Sequence, residues 1–557
     1  LLFEFDTFMH QPLRVDSPAV FVVWSVRSAA DPEAIEEAPW LSRDLLYYGG
    51  PAYERFQEEL GDLLVPDCAA VQVMMGVRHI AYIWPWIEDA TPAPYYDNVR
   101  LTAYKNDGPI LTAHASNLAQ DGFPAAGVLD EENLANNSVR FDAAVMGREP
   151  GGLGTAPGDS LVCRIVTRRP GAELTGVRLH YSMRRNEVFD AVRDPAWEAT
   201  GSVEGLPVIG EEGLFAFDLP DEGFLFPGDI LHYYFAADDA VGGGDPRTRT
   251  LPADLSGYED FSDALAYEAA FTMRALPSIS NTNFRQAKAL LWDDSGESTD
   301  LFKWQGGFQS YGLVYGSSYD IYQTNAASSN LGNGLGGRAT PEVLAGYKAI
   351  IYTSGDLKTA TLEDGSGETS EDVQLLRTWL DEFSGDLFLC GDNLAEDLQQ
   401  TPEGAAFLAD YMNLEFITSD IRPSIGSQTA PLVKTTPGNY VVYYAEAWTA
   451  FGGCPSINTF DGVVPGEGAE RLARFCNASG EPSYTYSALT LNIMPNDAKV
   501  VSMPVDMGFI YTNPSYPPPS GSNVAHLLIR EILDYFLFEP GPPGDAPQPR
   551  SARFQTA

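Results

Sequence analysis

Cys390 stands on a tight turn between a short apolar run and a helical pattern, in Asp386-Leu-Phe-Leu-Cys-Gly-Asp-Asn393. An α/β enzyme presents a nucleophile at such a turn. A thiol attacks as its thiolate and needs a base beside it. From residue 281 to residue 540 the chain has a single histidine, His526. Within residues 160–278 the donors that could serve Cys390 are His180 and His232. A second constellation is acidic. Asp293 and Asp294 close one apolar run, Asp356 follows another, and Asp392 follows the run that ends at Cys390. Open α/β sheets bind ligands at the carboxyl ends of their strands, so these carboxylates mark a candidate ligand edge that could take a divalent cation.

Three further groups could do chemistry. Trp84, Trp86, Tyr95 and Tyr96 gather near one loop, and aromatics of this kind stack on sugar faces or pack as core and rim. Asp238, Asp239 and Asp245 lie beside three glycines, where they form a solvated turn or hold a cation. Gly332-Asn-Gly-Leu-Gly-Gly337 satisfies GxGxxG, but it lies about eight residues beyond the preceding apolar run, and a surface loop is expected there. The five cysteines are too scattered for a CxxC metal site. Cys454 and Cys476 both lie in a loop-rich stretch, Phe451–Ser479, that a disulfide would restrain, and two separate buried thiols are the competing reading.

The elements that position these residues fall into three regions. At 557 residues the chain has room for several domains of roughly 100–200 residues each. Residues 1–105 read as strands throughout, with alternation in Leu2-Phe-Glu-Phe-Asp6 and a β-branched run at Val20–Val26. Residues 106–159 are rich in Gly, Pro and Asn and read as an extended connector lying along its neighbours. Residues 160–278 carry short strands spaced by turns such as Pro157-Gly-Asp159 and Pro227-Gly-Asp229, the pattern of a second β-sandwich. From 281 to 540 strands at Ala287–Trp292, Tyr319–Gln323, Ala349–Thr353 and Leu387–Cys390 alternate with helices, the clearest at Glu371–Phe383. This pattern predicts an α/β doubly wound domain of the flavodoxin-like group. Residues 541–557 are a Pro-rich linker. The chain opens at Leu1 without Met and already within a strand pattern, so any export signal is expected to have been cut off or to lie outside this sequence.

Charge excludes some partners. The net charge is −43, from 77 acidic against 34 basic residues. Such a field repels nucleic acid and anionic membranes, and it suits a salty or extracellular setting. The longest apolar run, Pro18–Val26, is far short of the ~20 residues of a membrane helix, so no membrane span is expected.

Three resemblances add to this reading. Tyr96-Asp-Asn-Val-Arg-Leu101 resembles the closing strand of jelly-roll modules of the laminin G and carbohydrate-binding kind. That resemblance implies a structural calcium held by Asp97 and Asp6, with turn capping as the alternative role of Asp97, and it implies glycan partners. Pro227-Gly-Asp-Ile-Leu-His-Tyr-Tyr-Phe-Ala-Ala-Asp-Asp239 resembles late strands of immunoglobulin-like or fibronectin type III spacer modules. Thr340–Gly355 and Leu387–Ala395 resemble the class I glutamine amidotransferase-like fold. That family carries Gly-x-Cys-x-Gly-His-Gln. With Gly-His-Gln placed on Gly391-Asp392-Asn393, Leu389 takes the nucleophile position and Cys390 falls one residue later. The His-x-Glu pair of the family is absent from this region, and the stripe of the last helix leaves His526 on its opposite face.

The expectation is a non-catalytic secreted or cell-surface protein that binds glycans or envelope proteins, spaces modules or assembles into extracellular filaments. The order of modules is similar to that of large secreted bacterial proteins. No cofactor is required, apart from the possible calcium. A cysteine hydrolase, a peptidase or amidase using Cys390, is the alternative.

Overall fold

The structure is a computed structural model that describes residues 2–8, 20–45, 54–60, 63–65, 68–79, 95–102, 108–112, 121–122, 134–137, 161–167, 169–209, 212–220, 223–262, 266–268, 271–279, 285–295, 298–323, 334–339, 341–359, 361–363, 371–451, 459–518 and 522–537. Alternation sets the first region. In strand Leu2–Phe8 the buried side chains include Phe3 and Phe5, and in strand Val20–Ala29 they include Val22, Trp24 and Val26. Leu2–Phe8 lies between Glu54–Glu59 and Tyr95–Thr102, and Val20–Ala29 lies between Leu41–Leu45 and Ala70–His79, every pair antiparallel. The two sheets face each other through Phe3 and Trp24, whose ring centroids are 5.4 Å apart, which makes the region a β-sandwich.

The second region is built from two sheets whose pairs are antiparallel except for one short parallel pair. One centres on the long strands Ala172–Arg184 and Ile230–Val241, flanked by Thr200–Glu204, Arg247–Leu251 and Thr272–Ala275. The other runs Leu206–Pro207, Leu214–Phe217, Leu161–Val166 and Ile110–Thr112. Leu161, Cys163, Ile165, Leu179, Phe217, Leu231 and Phe235 fill the space between them. Two short strands from the stretch expected as a connector take part, Ile110–Thr112 against Leu161–Val166 and Asp121–Gly122 against Thr272–Ala275. The turn Pro227-Gly-Asp229 needs its glycine. Gly228 has φ +85°, and a Cβ there would meet Asn186 Nδ2 at 2.7 Å.

The third region is organised by one twelve-stranded sheet. Five of its strands are parallel, in spatial order Tyr319–Gln323, Ala289–Asp293, Ala349–Thr353, Asp386–Cys390 and Lys499–Met503. Their residues alternate between two cores. Leu291, Ile351, Phe388 and Val501 meet helices Ser298–Tyr311 and Val524–Leu537 through Trp304, Phe308, Leu528 and Ile532. Leu290, Trp292, Ile350, Leu387 and Val500 meet helix Glu371–Phe383 through Val373, Leu376, Trp379 and Leu380. Beyond Lys499–Met503 the sheet continues antiparallel through Ser487–Ile493, Glu470–Phe475, Leu432–Thr435, Ala447–Ala450 and Ile510–Tyr511. The four expected parallel strands fall within two residues of their observed ends, whereas the fifth and the antiparallel extension were not read from the sequence.

The second and third regions join at a sheet edge. Ser278 donates its N–H to Asp320 Oδ2 at 2.8 Å on strand Tyr319–Gln323, and the Arg274 guanidinium lies 4.8 Å from the Tyr315 ring centroid. Ile279 bridges Gln286 directly.

Candidate functional site

The carboxyl ends of the parallel strands carry turns that are stitched to one another by backbone hydrogen bonds. Asp294 N–H reaches Thr353 O at 3.0 Å, Ser354 N–H reaches Cys390 O at 3.0 Å, and Gly391 N–H reaches Met503 O at 3.3 Å. The approach is close enough that a Cβ on Gly391 would lie 2.0 Å from Ser354 Oγ. A side chain there would require the Ser354 hydroxyl to turn away, since the next-nearest atoms lie at 3.3 Å and beyond.

Cys390 ends its strand inside the core, fully buried, with Sγ donating to Val505 O at 3.2 Å. Leu389, at the position the amidotransferase resemblance assigns to the nucleophile, is equally buried on the opposite face. His526 is not on a free helix face. Its ring lies over Gly306, where a Cβ would meet Cε1 at 2.3 Å, and against Phe302 at 6.0 Å between centroids. The missing side chain on Gly306 leaves room for the imidazole in this orientation. Burial, with Lys303 nearby, holds it below its ordinary pKa. His180 stacks on Tyr234 at 4.8 Å, and His232 stacks on Phe261 at 4.2 Å with Nδ1 3.0 Å from Tyr258 O, so both are engaged inside the second sandwich.

The four aspartates of the expected ligand edge divide. Asp293 accepts from Ser295 N–H at 3.0 Å, Ser295 Oγ at 2.6 Å and Gln323 Nε2 at 3.0 Å. Burial pushes its carboxyl up to about 6 against those bonds, with Asp506 adding to the rise. Asp294 turns to the other face, where Trp292 Nε1 (2.8 Å) and Tyr352 OH (3.0 Å) donate to it. Asp392 is the hub. Its N–H reaches Gly355 O and its C=O accepts from Asp461 N–H, both at 2.9 Å, and its Oδ1 accepts from Asp506 N–H at 2.7 Å. Burial drives its carboxyl well above the ordinary range, and Asp506, Asp356 and Asp461 push the same way. Asp461 is also raised well above its ordinary value, first by burial and further by Glu396 and Asp397 nearby, against N–H bonds from Glu396 and Ala395.

Asp461 and Asp506 were not among the residues read from the sequence. Asp506 could have been, because Lys499-Val-Val-Ser-Met-Pro-Val-Asp506 repeats the apolar-run-then-acid pattern of Leu387–Asp392. Among the described residues no three His, Cys, Asp or Glu side chains are placed to hold a metal ion.

The other candidates are placed as follows. Strand register sets Asp6 directly opposite Asp97, next to a bulge between Glu4 and Asp6, and the description does not extend to their side chains. Tyr96 is a packing residue. Its OH donates to Gly76 O at 2.6 Å and its ring meets Phe5 at 5.7 Å. Trp84, Trp86 and the Tyr95 side chain lie outside the described residues, as does Cys454. Cys476 is a free, buried thiol whose pKa burial raises. Asp239 pairs with Arg169 at 2.7 Å, which occupies the carboxylate that a cation would have used. In the GxGxxG stretch, Gly336 N–H donates to Asp372 Oδ1 at 2.6 Å and a Cβ on Gly334 would lie 2.0 Å from Asp372 Oδ2, so these glycines close on a carboxylate of the chain itself.

No known protein family and no curated protein matches the chain. Among solved structures it is similar to an "mmIFT52 N-terminal domain", at 12% identity and a TM-score of 0.27, over 45% of this chain and 98% of that one.

Proposed function

We propose that this chain is a secreted or cell-surface multidomain protein that acts through its surfaces, by binding, spacing or self-assembly, and that its third region is a non-catalytic relative of the amidotransferase-like fold. The parallel strands, numbered in chain order, lie 2-1-3-4-5 across the sheet, the order of flavodoxin-like domains, and helices cover both faces. One observation carries the non-catalytic reading. Both Leu389 and Cys390 are buried side chains of a core strand, and the Cys390 thiol is spent on Val505 O. The two sandwiches serve in this proposal as jelly-roll and immunoglobulin-like or fibronectin type III-like modules. Glycans or envelope proteins are the partners, and calcium between Asp6 and Asp97 is a structural ion.

Alkylation by iodoacetamide at neutral pH, followed by peptide mass mapping, tests this. Cys390 of the folded chain is expected to react far more slowly than free cysteine and to react only on unfolding. Alkylation faster than free cysteine overturns the proposal in favour of a cysteine hydrolase.

A further inference from the structure

We propose that Asp392 and Asp506 hold one proton between their second carboxyl oxygens, and that this shared proton latches the turn after the fourth parallel strand to the turn after the fifth. The two side chains are fully buried. Asp506 N–H donates to Asp392 Oδ1 at 2.7 Å, which sets the carboxyl of Asp392 against the residue that carries the other. The remaining oxygens are left over. Asp506 Oδ1 accepts from Gly508 N–H at 3.1 Å, and neither Asp392 Oδ2 nor Asp506 Oδ2 has a hydrogen-bond partner among the described residues. Two buried carboxylate oxygens without donors are each costly, and a single proton on one carboxyl supplies a donor to the other.

Among the described residues, the charged groups around the pair are further carboxyls or cations already engaged elsewhere. Asp293 faces the pair from the end of the first parallel strand, Asp356 from the turn after the third, and Asp461 from the segment before strand Gly462–Pro465, so three elements present further carboxyls. On the short helix Leu394–Leu398, Asp397 is taken by Thr361 N–H at 2.8 Å, and Glu396 faces Lys358. Lys303, from helix Ser298–Tyr311, spends its ammonium on the carbonyls of Met507, Gly508 and Ile510. The strong upward displacement of the Asp392 carboxyl agrees with this geometry. Through its backbone Asp392 also binds Gly355 and Asp461. Loss of the proton to solvent leaves two facing carboxylates and loosens four turns together.

The sign follows from linkage. A carboxyl whose folded pKa lies above its unfolded value adds stability that is complete below about pH 4 and is lost as pH rises through the folded value. The test uses the full chain, its Asp392→Asn and Asp506→Asn variants, and Asp461→Asn as a control. Infrared difference spectra at pH 7 are expected to show that Asp392→Asn and Asp506→Asn each remove the same protonated-carboxyl C=O component from the parent's band, while Asp461→Asn leaves that component in place and removes at most a component of its own. In urea unfolding from pH 4 upward, the parent's unfolding constant is expected to rise by up to tenfold more per pH unit than that of Asp392→Asn. A parent spectrum unchanged by both latch variants overturns the proposal. So does calcium or magnesium binding, seen by calorimetry in the parent and lost in Asp392→Asn, because a cation would then occupy the place of the proton.

Discussion

A carboxylate taken out of water needs a counter-charge, a set of N–H donors or a proton, and this chain uses each in a different place. Asp229 receives the Arg193 guanidinium at 2.6 Å together with N–H bonds from Asn186 and Phe226. Glu531, on the closing helix, instead accepts three successive backbone N–H groups, from Tyr443 at 3.2 Å, Tyr444 at 2.7 Å and Ala445 at 3.2 Å. Burial still outweighs those bonds and pushes Glu531 up to about 7. A raised carboxyl stabilises the fold most below its unfolded pKa, so the contribution of Glu531 is full below about pH 4.5 and fades as pH climbs to 7. Glu531→Gln, which cannot titrate, is expected to remove about 3 kcal/mol of the fall in stability between pH 4.5 and pH 8. Urea unfolding at the two pH values reads that difference, and equal falls in parent and variant would refute it. At this scale the sequence was informative where one turn held the chemistry, as at Gly391-Asp392. It was silent on the partnership of Asp392 with Asp506, because those residues are 114 positions apart and no local pattern encodes their meeting.

Helices with a one-sided apolar stripe were legible, and Glu371–Phe383 has the expected ends because Val373, Leu376, Trp379 and Leu380 recur at helical spacing on one buried face. Helix Ser298–Tyr311, in the place where a helix was expected between the first two strands, had no bounds legible from an apolar stripe, because its contact with helix Val524–Leu537 is made by missing side chains. Gly306 and Gly307 let the second helix approach, and a periodicity of apolar residues does not report a surface made of glycine. The antiparallel extension escaped for another reason, since most of its strands are four to seven residues long and too short for alternation to stand out. The glycine pair makes a discriminating prediction. Alanine in a helix interior gains about 1 kcal/mol over glycine by propensity, whereas overpacking costs about 1–3 kcal/mol. At Gly307 the new methyl would meet Ile529 Cβ at 2.5 Å, an atom fixed to its own helix backbone. At Gly306 it would meet the outer atoms of the His526 ring at 2.3–2.4 Å, which a rotation can move. Gly307→Ala is therefore expected to lower stability by about 1–2 kcal/mol, and Gly306→Ala to lie near zero. Chemical denaturation of both variants decides this, and a stabilised Gly307→Ala would show that the helices have room to part.

Across the whole molecule, packing and charge pull in opposite directions. The junction of the second and third regions covers the outer parallel strand, through Ser278 on Asp320 and Arg274 over Tyr315, so that end of the large sheet is closed to further pairing. The first sandwich is different. Among the described residues Ala70–His79 is the longer of the two outer strands of its sheet, ten residues long, with Met74 48% and Val77 45% exposed. A long edge strand with exposed apolar side chains is a template for pairing with another copy. The net charge of −43 opposes that pairing by repulsion between copies, and repulsion is what salt removes. The screening length falls from about 30 Å at 0.01 M to about 8 Å at 0.15 M, short enough for two strand edges to meet while the remaining surfaces no longer feel each other. The chain is therefore expected to run as a monomer by light scattering in 0.01 M salt and to associate in 0.5 M salt. Val77→Lys, which places a charge on the exposed edge, is expected to keep it monomeric at both. A parent that is strictly monomeric at both concentrations would remove self-assembly from the proposed function and leave binding and spacing. A Val77→Lys variant that associates like the parent would move the contact to another surface.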